Sequence, residues 1–163
     1  MDIVVGLSEE YYISLLNDLR NFKDCERGYH FYILKKNPKK MIPRQNKIYY
    51  LRDNKIVGYG VVKGIKLIDD ETQCNFKGVL WMHKGWFIVA WALSFWYVEG
   101  IPVYIYIKQF GFKYFNLEKV LKGQKEPEFI TQKQLQWARD GGLLEKESVR
   151  GREAGQILIK DLI

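Results

Sequence analysis

The chain has 163 residues, of which 47% are apolar and 15% aromatic, with four prolines and no low-complexity tract. This excludes a largely disordered chain, fits one domain and is long enough to bury a substantial core. The net charge of +7 is concentrated: residues 35–68 carry ten Lys and Arg against the single acid Asp53, so the other 129 residues sum to −2.

In chain order, Ile3, Val5 and Leu7 alternate as a short strand. Ser8 followed by Glu9 and Glu10 then gives an N-cap with acids in the first helical turn. Tyr12, Leu15, Leu16, Leu19 and Phe22 repeat at helical spacing, which predicts a helix of about four turns with one buried face. Residues 29–34 read as a second strand. Pro38 and Pro43 then make residues 35–46 a loop. Strands are predicted at 47–52 and 55–63, with Asp53-Asn54 as a two-residue turn of residues that tolerate positive φ. A turn at 69–71 follows, then strands at 76–82, 86–97, 103–108 and 113–115. A helical turn is expected at 117–121, and Thr131 is expected to cap a helix carrying Leu135 and Ala138 that Gly141-Gly142 close. Many consecutive strands imply a barrel or a strongly curved sheet.

The apolar run 86–98 has 13 residues between Lys84 and Glu99, short of the roughly 20 that a membrane span needs. No membrane association is expected. In this run both alternating faces are apolar, so Trp91 and Trp96 are assigned to the core. Cys25 and Cys74 belong to no CxxC or Cys/His cluster, which argues against a zinc site or a disulfide scaffold. With no basic, apolar leader at the start, the expectation is a cytoplasmic protein without a cofactor. Common nucleotide-binding and hydrolase signatures are absent. His30 and His83 are the only histidines and read as ordinary structural or surface residues.

A dense patch of one sign of charge suits a polyanion. Lys35, Lys36, Lys39, Lys40, Arg44 and Lys47 are the candidate phosphate contacts. A solvated lysine-rich edge that discourages strand pairing is the alternative reading. Phe110 and Phe112 lie on a glycine-bent, polar segment with Lys108, Gln109 and Lys113, so Phe110, Phe112 and Lys113 are the candidates for base contact. Arg139, Lys146, Arg150 and Arg152 are interleaved with acids, as on a solvated helical surface. Ile157, Leu158, Ile159, Leu162 and Ile163 are apolar enough to dock, and a homodimer through them stays open.

The order of strand, capped helix, basic loop and consecutive strands resembles the PUA-like superfamily, in particular its ASCH branch. The ASCH pattern GxKxxExR falls on residues 21–28. Lys23 and Glu26 match it, Asn21 stands at the glycine, Gly28 at the final arginine, and Arg27 lies one place early. The glycine-containing strand with Gly58 and Gly60 and the segment 110–115 are similar to later strands of the same group. The resemblance covers residues 1 to about 116.

It implies an α+β protein: a PUA-like small β-barrel over 1–116 with an N-terminal strand-helix unit, and a C-terminal helical extension over 117–163 packed on it. It also implies nucleic-acid binding, RNA favoured because the superfamily favours it. As the alternative it implies hydrolysis of a modified nucleoside through Lys23 and Glu26 as acid-base pair, which would require a lysine pKa lowered by burial or a nearby cation. An interaction module meeting an acidic protein is a third reading.

Overall fold

In the computed structural model, the described residues are 1–16, 29–69, 84–131, 134, 135 and 137. They form seven strands: β1 (Asp2–Gly6), β2 (His30–Leu34), β3 (Lys47–Arg52), β4 (Lys55–Leu67), β5 (Phe87–Pro102), β6 (Lys113–Phe115) and β7 (Phe129–Ile130). Two helices accompany them, α1 (Glu9–Leu16) and the single turn α2 (Leu117–Val120). The described part is thus mostly β-sheet.

All seven strands belong to one sheet, ordered β2-β5-β4-β3-β1-β6, with β7 on β5. The β1–β3 pair is parallel and every other pair antiparallel. The β3–β4 hairpin turns on Asp53 and Asn54 at φ 49° and 60°, the left-handed pair that a primed two-residue turn requires. Ser8 caps α1, its Oγ accepting from Tyr11 N at 3.2 Å. Thr131 and Gln134 exchange reciprocal bonds: Thr131 Oγ1 accepts from Gln134 N at 3.2 Å, and Gln134 Oε1 accepts from Thr131 N at 2.9 Å. That is the capping box expected of a helix start.

Strand alternation gives the sheet two apolar faces. Ile3, Val5, Ile48, Tyr50, Val57, Trp91 and Trp96 form one face, covered by Tyr12, Leu15 and Leu16 of α1 and by Leu135. Val4, Tyr49, Leu51, Ile56, Tyr97 and Phe115 form the other, under Val103, Ile105 and Ile107 and under Leu117, Val120 and Leu121 around α2. Trp91 and Trp96 are 0% and 1% exposed, and burying each gains roughly 4–6 kcal/mol as a gross upper figure. Their position depends on two glycines of β4. A Cβ on Gly60 would lie 2.3 Å from Trp91 Cδ1, and one on Gly58 2.9 Å from Trp96 Cε3 and 2.5 Å from the Phe95 carbonyl oxygen. Ser94, fully buried, shares its Oγ with Tyr50 Oη at 2.7 Å and accepts from Trp91 Nε1 at 3.3 Å, so the polar atoms of the Tyr50, Ser94 and Trp91 side chains are satisfied.

Three expectations change. The barrel does not close: β2 and β6 are the two ends of the strand order, joined at one place by the 3.0 Å bond from Lys35 N to Phe110 O. Register shifts in β4 at Ile56/Gly58, Gly60/Val62 and Val62/Gly64 curl the sheet. Residues 103–108 are extended but lie outside the sheet, because past the Val103–Asn54 bond they run over its face. The short strand β7 was not foreseen. Expectations for 76–82, His83, both cysteines and the chain beyond Trp137 lie outside the described residues, as do Leu19, Phe22, Lys23 and Glu26.

The glycine dependence is testable. Gly60→Ala should lower stability by about 1–3 kcal/mol through overpacking. Gly64→Ala, on the same strand with nothing within 4 Å of its Cβ position, should hold or gain about 0.5 kcal/mol by restricting the unfolded chain. Urea midpoints for the two variants check this; equal losses at both sites would refute the tryptophan-contact explanation.

Candidate nucleic-acid interface

The loop of residues 35–46 contains neither helix nor strand, yet it is anchored. Pro38 and Met41 are buried beneath it. Arg44 N donates to Val62 O at 2.6 Å and Val62 N to Asn46 O at 3.0 Å. The Asn46 side chain accepts from Ile42 N at 2.6 Å. With Pro38 and Met41 pinned inward, the loop displays its cations beside exposed Ile42: Lys35, Lys36, Lys39, Lys40 and Arg44 are exposed, and Lys47, at the start of β3, is half-buried. Among the described residues none of the six takes part in an ion pair.

The structure brings the predicted aromatic segment to this loop. Lys35 N donates to Phe110 O at 3.0 Å, and the Lys35 ammonium sits 5.4 Å from the Trp86 ring centroid. Trp86 in turn packs on Phe110 with centroids 5.3 Å apart. Gly111 N closes a turn on Lys108 O at 2.9 Å, leaving Phe110 at φ 60°, a left-handed conformation that costs a phenylalanine about 1–2 kcal/mol. Farther along, Lys40 N donates to Tyr114 Oη at 3.1 Å, and its ammonium lies 5.5 Å from the same ring. Phe112 meets Tyr114 edge-on at 5.3 Å and packs against the larger core. Phe110 and Phe112 are therefore half-buried, while Lys113 is exposed. Beside Lys39 runs a groove of about 430 Å³ lined by Pro38, Met41, Ile65, Leu67 and Phe87.

Lys47 makes different contacts. Its ammonium is 4.7 Å from the Tyr59 centroid, and its backbone N–H donates to Asp2 Oδ1 at 2.8 Å. It borders a cleft of about 600 Å³ that Asp2, Tyr49, Phe115, Leu121 and Glu126 also line. Burial pushes the Tyr49 phenol up, reinforced by Tyr97 and by the negative charges of Asp2 and Glu126. Burial likewise raises Tyr97 and Tyr59, with Glu126 adding to both. Burial thus favours the neutral, proton-donating form of all three phenols. The sequence reading missed Trp86, Tyr114 and Tyr59, the rings that hold Lys35, Lys40 and Lys47. Their alternation in strands points to a face but not to a lysine partner distant in sequence.

His30 is fully buried at a ring distance of 6.0 Å from Trp91. Among the described residues no group of three His, Cys, Asp or Glu could hold a metal ion, and no helix is long and apolar enough to cross a membrane.

No protein-family model matches the chain, and no curated protein matches it. Among solved structures it is similar to the ASCH protein of Zymomonas mobilis, at 11% identity over 84% of this chain and 94% of that one, with a TM-score of 0.31. Two point mutants of the same protein give 10% and 11% identity over 87% of this chain and TM-scores of 0.28 and 0.29. A superposition this loose carries no argument about activity.

The tyrosines predict alkaline behaviour. Burial pushes Tyr32, whose hydroxyl donates to Gly6 O at 2.8 Å, up to about 12, and Tyr50 is also raised by burial against the opposing bonds of Ser94 and Trp91. An unfolded phenol ionises near about pH 10. Above that pH the unfolded chain binds fewer protons than the native one, so stability falls as pH rises. Full stability is expected below about pH 10, with a progressive loss toward about 12 that Tyr32→Phe makes shallower. Urea midpoints across that range, with tyrosinate absorbance followed in parallel, check the trend; a flat profile would refute it.

Proposed function

We propose that this protein is a nucleic-acid-binding domain of the PUA-like, ASCH type, with RNA the favoured partner, in which the loop of residues 35–46 holds phosphates beside an aromatic seam. The observation that carries this is the bond from Lys35 N to Phe110 O. It joins two segments that the sequence marked independently, one by charge and one by exposed aromatic character. Lys36, Lys39, Lys40 and Arg44 extend from the joint, and Lys113 lies beyond Phe112. Cation–π contacts such as those of Lys35 and Lys40 are worth about 0.5–1 kcal/mol at exposed sites. A phosphate can draw such an ammonium away, since charge-assisted contacts release condensed counterions as well. The preference for RNA rests on the resemblance to the superfamily.

Fluorescence polarisation with labelled single- and double-stranded RNA and DNA over a salt series tests the reading, with an acidic polypeptide as control. Lys39→Ala/Lys40→Ala should weaken binding to every sequence alike and reduce the slope of log affinity against log salt by about 1.5, near the value for two lost phosphate contacts. Unchanged affinity and slope, or equal binding to the acidic polypeptide, would overturn it.

A further inference from the structure

Residues 103–108 cross the outer face of the sheet from the hairpin turn to the basic loop. Val103 N donates to Asn54 O at 2.9 Å at one end, and at the other the Lys108–Gly111 turn leads to the Lys35–Phe110 bond. Alternation divides the segment: Val103, Ile105 and Ile107 pack inward on the second core, while Tyr104 and Tyr106 are 91% and 75% exposed. Among the described residues no hydrogen bond engages the backbone of residues 104–107, and neither tyrosine ring meets another aromatic. Two large rings thus stand in water and contribute nothing to either core. Adjacent exposed aromatic surface of this kind marks a contact site.

We propose that Tyr104 and Tyr106 form a stacking platform for two unpaired bases, so that the ligand is single-stranded nucleic acid whose backbone Lys108 leads on to Lys35 and Lys36; this rests on the nucleic-acid reading above. Rings two residues apart on an extended chain are about 6.7 Å apart on one face, enough to separate two bases. No carboxylate occurs between Glu99 and Glu118, a stretch that holds Lys108 and Lys113, so the charge of the segment itself suits a polyanion better than a basic peptide. Stacking accepts any base because every base has a π-face. In a duplex those faces are already covered, which makes the platform selective for single strands.

The test compares wild type with Tyr104→Ala/Tyr106→Ala and Tyr104→Phe/Tyr106→Phe, using single-stranded oligouridine and an RNA duplex. The rings' exposure leaves the fold indifferent to either change. The alanine pair should lose at least about fivefold affinity per tyrosine for the single strand, with the salt slope and duplex binding unchanged, while the phenylalanine pair stays within about twofold of wild type. Wild-type single-strand affinity in the alanine pair, or an equal loss on the duplex, would overturn the platform. So would a concentration-dependent dimer, detected by sedimentation, that the alanine pair abolishes, since the segment would then pair with a second copy. If wild type binds no nucleic acid the parent reading fails as well; if Lys39→Ala/Lys40→Ala weakens binding and the tyrosine variants do not, the platform alone fails.

Discussion

Two glycines set against two tryptophans control this structure. Gly58 and Gly60 leave the space on β4 into which Trp96 and Trp91 settle, and those rings carry the apolar face that α1 and Leu135 cover. Tyr50 packs against both rings, with centroids 5.8 Å from Trp91 and 5.4 Å from Trp96, so β3, β4 and β5 meet in a single aromatic layer. Close packing at native density leaves no room to shift such a layer by one methyl group. The register between β4 and β5 and the curl of the sheet both follow from this fit.

The curl brings the two ends of an open sheet near one another. Because β2 and β6 face each other without pairing, the gap is bridged by Lys35 and Phe110, and the cationic loop comes to lie along the seam. Surface loops are commonly held this way, variable in composition yet positioned by a rigid frame. Here buried Pro38 and Met41 act as the pegs. The exposed lysines project from a backbone that is already ordered, which lessens the entropy lost when a ligand binds.

Short-range features were legible in the sequence where local chemistry decides the geometry. Asp53-Asn54 declares its turn because both residues tolerate positive φ. Ser8 and Thr131 declare their helix starts because their hydroxyls can meet free N–H groups, and the apolar run of β5 declares the burial of Trp91 and Trp96. Long-range choices were not legible. Nothing in Asp2–Gly6 says that it will lie parallel to β3 and beside β6. Residues 103–108 have the alternation of a strand and the extended backbone of one, but their neighbours form no ladder with them, so a pattern of side chains was read as a pattern of hydrogen bonds. The candidate interface divided in the same way: charge and glycine-bent aromatics marked the two segments, whereas the rings of Trp86, Tyr114 and Tyr59 became partners of lysines only through the fold.

The position of β1 has a consequence for biosynthesis. β1 precedes both of its partners in the chain and is an interior strand, flanked by β3 on one side and β6 on the other. Its second partner is complete only at Phe115, and at translation rates of about 5–20 residues per second the intervening chain takes roughly 5–20 seconds to make. During that interval Ile3, Val4 and Val5, all fully buried in the finished protein, have an open edge. β1 therefore waits with an unpaired edge until β6 is made, and its brevity, five residues, limits what it can template before its own partners arrive.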